Sequence, residues 1–329
     1  MARTDLSLAE LVEYRPAVAE PSDFDTFWAD TLGTTAGIDL AVSLVPVRTP
    51  YRIVEIFDVS FAGFGGDRIQ AWMTRAQVRD EPQPAVVEFL GYGGGRDLPG
   101  TYLHWASAGY VHLLVDTRGQ GSGWGGGGTT SDPHGTGPSG PGFMTRGIED
   151  PESYYYRRVF TDAVRAVQAV RTIPGVDPAK VSVAGISQGG GISLAVAGLV
   201  EDLLAVMPDV PFLCHFERAV DICERDPYAE ISRYLSVHRG LAESAFHTLS
   251  YFDGVNFAKR ARAPALFSVA LMDQTCPPST IYAAYNSYGG KTEMVVYSYN
   301  DHEGGLSHQR LAQIIWLNAR LEGSVSAGG

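Results

Sequence analysis

The chain has 329 residues, 45% hydrophobic and 19% charged, and its 25 basic and 37 acidic side chains leave a net charge of −12. That length suits one large α/β domain with insertions, and the composition excludes a low-complexity chain. The acidic balance supplies no basic stripe for a phosphate backbone and no apolar run reaches membrane-span length, so neither nucleic acid nor a membrane is an expected partner.

Residues 5–32 read as helical. Leu6, Leu8, Leu11 and Val12 precede a loop, and Phe24, Phe27, Trp28 and Leu32 follow the candidate cap Ser22 at helical spacing. The period then changes: runs at 42–47, 53–61 and 68–73, separated by Pro50 and the turn at 63–66, predict an antiparallel start to a sheet. From residue 84 the pattern becomes strand, Gly-rich turn, helix. Apolar runs at 85–90, 110–115, 180–184, 203–207, 265–271 and 294–299 alternate with helical patterns such as 155–171 and 192–200. This alternation predicts an α/β fold with a mostly parallel sheet covered on both faces, whose sites collect beyond the carboxyl ends of the strands.

Two segments break the rhythm. Residues 117–148 are rich in Gly, Ser and Pro and read as a long ordered loop or an oligomer contact. Residues 210–262 combine polar helical patterns with aromatics and read as a small inserted lid. The expected organisation is a single domain over 1–329, with an N-terminal helical and β extension at about 1–75 and the lid at about 210–262. Residues 1–20 hold Asp5, Glu10 and Glu13 and no signal-like apolar stretch, and the three cysteines (Cys214, Cys223, Cys276) lack CxxC spacing. No disulfide framework or cysteine-rich zinc site is therefore expected, and the expected location is cytoplasmic.

The strongest chemical signal is Gly185-Ile186-Ser187-Gln188-Gly189, a G-x-S-x-G pattern with a β run before it and a helix after it. In that context the pattern is a nucleophile elbow, a strained turn that lifts the serine hydroxyl above the sheet; the bland alternative is a plain βα turn. A serine hydroxyl is a poor nucleophile at neutral pH and needs a base, which needs an orienting acid, in the chain order Ser, Asp or Glu, His. His302 is the histidine placed at a strand end after the acid, whereas His308 falls in the next helical pattern. Asp273 is favoured as the acid because its strand is the usual one before the histidine strand. Asp209, also at a strand end, is the serious alternative, and Asp301 is disfavoured because an immediate neighbour rarely folds back onto its own imidazole. The other histidines lack ligand-like spacing, and no metal or organic cofactor is expected.

An oxyanion requires two converging main-chain N–H groups. Gln188, directly after the nucleophile, supplies one, and Tyr92 in the loop Gly91-Tyr92-Gly93-Gly94-Gly95 is the best-placed second donor. Two motifs are decoys. Gly121, Gly123 and Gly126 fit G-x-G-x-x-G, but no helix opens there, and Gly290-Lys291-Thr292 lacks the earlier glycine and the following helix of a P-loop.

With these residues in place, the chain resembles the acetyl xylan esterase and cephalosporin C deacetylase group, carbohydrate esterase family 7. The matching stretches are Arg118-Gly119-Gln120, the elbow and His302-Glu303, with longer blocks at 209–219, 248–253 and 276–280 and the N-terminal Tyr14-Arg15-Pro16 and 24–28. The resemblance implies an α/β-hydrolase fold, a Ser187, Asp273 and His302 triad, and oxyanion donors at Tyr92 and Gln188. It also implies a serine esterase that deacetylates small acetylated sugars, xylo-oligosaccharides and cephalosporin C, working as a homo-hexamer. Phe212, Pro227 and Tyr228 of the insert, with Tyr92 and Cys276, are the expected pocket lining. A serine peptidase or lactone hydrolase of the same fold is the alternative within hydrolases, and a non-catalytic binding protein the alternative outside them.

Overall fold

The computed structural model describes residues 3–77, 81–134 and 137–326. Helix α1 (Leu8–Glu13) starts at a capping box in which Ser7 and Glu10 exchange side-chain and main-chain hydrogen bonds. Helix α2 (Phe24–Ala36) buries Phe24, Phe27 and Trp28, and the Trp28 indole N–H donates to Tyr251 O at 2.9 Å. The helical expectation over 5–32 thus resolves into two helices. Pro16 and Pro21 lie between them, where a residue without an N–H cannot continue a helix.

Strands β1 (Ser43–Pro46), β2 (Val54–Ala62) and β3 (Arg68–Ala76) are antiparallel neighbours. There follow β4 (Gln83–Phe89), α3 (His104–Ser107), β5 (Val111–Val115), α4 (Tyr155–Arg171), β6 (Val176–Ile186), α5 (Gln188–Leu199) and β7 (Ala205–Asp209). Helices α6 (Phe216–Ile222), α7 (Tyr228–Val237), α8 (Ala242–Ser250) and α9 (Gly254–Arg260) separate β7 from β8 (Ala265–Ala270). The chain ends with α10 (Pro278–Ser287), β9 (Thr292–Tyr297) and α11 (Leu306–Ser326). Among the described residues these strands form one sheet in the order β1-β2-β3-β5-β4-β6-β7-β8-β9. It is parallel from β5 to β9 and antiparallel on the β1 side of β5. No helix of the described residues is long and apolar enough to cross a membrane.

The strands of the parallel half are apolar runs because both faces are covered. On one face α4, α5 and α10 pack over β4, β6 and β8, burying Val87, Val183 and Phe267. On the other, α3 and α11 close over Val86, Ala184 and Met207 with Trp105, Trp316 and Leu317. The segment expected as an insert divides at α9. That helix packs against α5 and α10 and buries Phe257 completely, so it belongs to the layer over the sheet.

The described residues of the 117–148 loop carry no helix or strand, yet they are fastened to the core. Arg118 is fully buried and donates two hydrogen bonds to Asp162 of α4, at 2.6 and 2.8 Å, and reaches Asp67 at 2.9 Å. Arg158 of α4 holds Asp132 of the same loop at 2.8 Å. Removing one partner from a buried ion network of this kind costs about 3–5 kcal/mol, so Arg118 and Asp132 are held firmly against α4.

Candidate active site

β6 ends at Ile186 and α5 begins at Gln188, which leaves Ser187 alone on the turn. Its φ of 56° lies in the left-handed region that non-glycine residues avoid. The flanking glycines make room for that turn. A Cβ on Gly185 would collide with the main chain of Gly189, and one on Gly189 with the carbonyl of Phe89. The Ser187 N–H donates to Asp209 O at 2.9 Å, which ties the elbow to the end of β7.

Two loops bring the partners. Asp273 lies just past β8, 2% exposed, and its Oδ1 accepts the N–H groups of Thr275 and Cys276, each at 2.8 Å. That turn aims Oδ2 at His302 Nδ1, 2.8 Å away, and His302 Nε2 lies 2.9 Å from Ser187 Oγ. With Nδ1–H donated to the carboxylate, Nε2 is left to accept the serine proton. Burial lowers the His302 pKa, but the Asp273 hydrogen bond and charge, with Asp301 and Asp209 nearby, hold it above the ordinary imidazole value.

The rival acids are engaged elsewhere. Asp209 accepts the Ser268 hydroxyl, and burial pushes its carboxyl up to about 6 against the opposing effects of Ser268 and His302. Asp301 pairs with Arg225 at 2.8 Å and accepts the Gln274 N–H at 3.1 Å, so it clasps the two loops together.

Among the described residues, the N–H groups of Tyr92 and Gln188 have no hydrogen-bond acceptor. Beneath them, Gln120 Oε1 accepts the Gly93 N–H at 2.7 Å while its Nε2 donates to Gln188 Oε1 at 2.9 Å. The Tyr156 hydroxyl also donates to Gln188 Oε1, at 2.8 Å. This buried chain fixes the 91–95 loop against the start of α5.

A sequence model described as acetyl xylan esterase (AXE1) matches residues 1–320. The chain belongs to the acetyl xylan esterase family. An acetyl xylan esterase from Paenibacillus sp. R4 superposes with a TM-score of 0.91 at 37% identity, over 95% of this chain and 99% of that one. Acetyl xylan esterase 1 from Thermoanaerobacterium sp. JW/SL YS485 gives 0.87 at 32% identity, over 95% and 99%. The acetyl esterase Axe7A of Xylanibacter ruminicola is 29% identical over 181 residues, which is 55% of this chain and 40% of that longer protein. The fold is that of the α/β hydrolases.

In this member of the acetyl xylan esterase family, Ser187 and His302 open into a cleft of about 520 Å³. Of the expected lining, Tyr92 and Pro227 stand on its wall. Phe212 and Tyr228 do not: both are fully buried behind it, whereas Cys276, also fully buried, lies with its thiol against the Ser187 side chain. The Phe212 and Tyr228 rings pack with centroids 4.3 Å apart, and the Tyr228 hydroxyl exchanges hydrogen bonds with the main chain of Cys214. Burial raises the Cys276 thiol well above its usual pKa. The Phe212 and Tyr228 rings back the wall and make it stiff.

Glu88, Tyr102, Trp124 and Arg310 also line the cleft and were not expected there. Glu88 had a signal, as a charged residue within the apolar run 85–90. Among the described residues one group has donor spacing suited to a metal: Asp273, Cys276 and His302, with ligand atoms within 4.8 Å of one another. Asp273 and His302 are already committed to the hydrogen-bonded chain with Ser187.

Proposed function

We propose that this protein is a serine carboxylic ester hydrolase that removes acetyl groups from small acetylated sugars, including xylo-oligosaccharides, and from related esters such as cephalosporin C. The reading is carried by the Ser187–His302–Asp273 hydrogen-bonded chain at the foot of an open cleft. Ser187 Oγ attacks the acetyl carbonyl while His302 Nε2 takes its proton, and Asp273 stabilises the imidazolium. The carbonyl oxygen becomes an oxyanion held by the Tyr92 and Gln188 N–H groups; loss of one such donor costs about 3–4 kcal/mol in comparable enzymes. His302 then protonates the leaving alcohol, and water attacks the acetyl-serine by the same path in reverse. No step calls on a metal or organic cofactor.

The three buried cysteines are free, which supports a reducing, cytoplasmic setting. The homo-hexameric assembly rests on the family resemblance, and light scattering that finds a stable monomer would refute it.

A series of esters of one alcohol, from acetyl to octanoyl, tests the reading. Pro227 and Tyr92, stiffened from behind by Phe212 and Tyr228, leave an extra methylene to be overpacked at about 1–3 kcal/mol. If that is felt in the transition state, kcat/KM falls roughly five- to 150-fold by butyryl. Comparable kcat/KM for acetyl and octanoyl esters would contradict a deacetylase.

A further inference from the structure

The cleft carries polar side chains that acetyl transfer does not use. Glu88, near the end of β4, has its Oε2 sealed against His112 of β5, 2.8 Å from Nε2, and His112 is itself 1% exposed. Burial would raise the carboxyl, but the close contact with the His112 imidazole, with His104 and Arg310 nearby, holds it down at about 2. Glu88 is therefore a carboxylate at neutral pH. Its Oε1 has no hydrogen-bond partner among the described residues, and the side chain, 16% exposed, lines the cleft. Oε1 is therefore the oxygen left open to a donor that enters the cleft.

Arg310 faces the same cleft from the second turn of α11 and makes no ion pair or hydrogen bond with the described residues. It follows His302 by only eight residues, through the turn at Gly304 and Gly305. The leaving oxygen must sit beside His302 to receive its proton, so this wall faces the alcohol half of the ester. The two charges together select the chemistry of that alcohol. An ammonium drawn to Glu88 would meet Arg310, and a carboxylate drawn to Arg310 would meet Glu88. A neutral polyol satisfies both, its hydroxyls donating to Glu88 Oε1 and accepting from the guanidinium.

The Gly-rich loop adds a flat surface. Trp124 is 45% exposed, and its indole N–H is fixed on Tyr92 O at 2.8 Å. The ring lies so close over Gly94 that any Cβ there would overlap it.

We propose that Glu88 and Arg310 form a leaving-group subsite that reads the hydroxyls of a neutral sugar, with Trp124 as the face on which the ring rests. The subsite deepens the esterase reading and depends on it.

The test compares kcat/KM for an acetylated xylo-oligosaccharide with that for p-nitrophenyl acetate, whose alcohol has no further hydroxyls, in wild type, Glu88→Gln and Arg310→Gln. The ratio of the two falls about tenfold or more in each variant, through KM for the sugar ester, as expected for a lost hydrogen bond to a charged group. Ratios within about twofold of wild type in folded variants would overturn the subsite and leave the esterase reading intact. So would an Arg310→Gln loss confined to an ester whose alcohol carries a carboxylate. A wild type inactive on both esters would instead overturn the esterase reading itself. If Glu88→Gln fails to fold, the exposed Arg310 carries the test alone.

Discussion

The Tyr92 phenol donates to Glu230 at 2.7 Å from Oε1 and 2.9 Å from Oε2, across 138 residues of sequence. Glu230 lies in the first turn of α7 and also accepts the Met144 N–H at 3.1 Å, while the Phe143 N–H reaches the Tyr92 hydroxyl. One carboxylate therefore joins the loop of the candidate oxyanion donor, the Gly-rich 117–148 loop and the insert. Glu230 acts through Tyr92 and is a positioning residue.

Glu230→Ala leaves the half-buried Tyr92 hydroxyl and the buried Met144 N–H without their acceptor, at a cost of about 1–3 kcal/mol for the buried group and less for the other. Thermal denaturation should show a lowered Tm, and steady-state kinetics on an acetyl ester a kcat loss larger than any rise in KM. Glu230→Gln keeps an acceptor and should recover most of both. A folded Ala variant with wild-type kcat would mean that Tyr92 is held by the Gln120 chain alone.

Asp273 and Asp209 separate cleanly by substitution. Asp273→Asn removes the acceptor of His302 Nδ1–H and should lower kcat about ten-thousandfold, the loss typical of a triad acid. Asp209→Asn keeps an acceptor for the Ser268 hydroxyl and should cost about tenfold at most, the scale of a single net hydrogen bond. The larger loss at position 209 would reverse the assignment.

Neutral His302 is the active base, and its pKa is held above the ordinary imidazole value of about 6.5. The acid limb of kcat/KM should therefore lie above that value, with activity rising as pH rises through it. Asp209 contributes to the upward shift, so Asp209→Asn should move the limb to lower pH; movement to higher pH would contradict this. Stability follows Asp209 in its own right. Its folded pKa of about 6 exceeds the ordinary aspartate value of about 3.9, so its contribution is full below about 4 and is lost as pH rises through 6. A Tm profile across that window should flatten in the Asn variant.

The strand-and-helix rhythm was readable because each parallel strand is an unbroken apolar run, and the elbow because Gly185 and Gly189 are demanded by close main-chain approach. Asp273 and His302 were readable from chain order at strand ends. The cleft wall was not. Phe212 and Tyr228 lie close to the site in space, but as large apolar rings they pack behind it, while Glu88 reaches it from near the end of β4. Trp124 and Glu230 depended on contacts to Tyr92 that no local pattern encodes.

The most direct measurement is rapid-quench mass spectrometry of the protein turning over an acetyl ester, with the Ser187 peptide followed against time. An acetyl adduct should appear on that peptide before steady state and be absent in Ser187→Ala, which should not hydrolyse the ester. Hydrolysis that continues with no acetyl on Ser187, or persists in folded Ser187→Ala, would contradict the account.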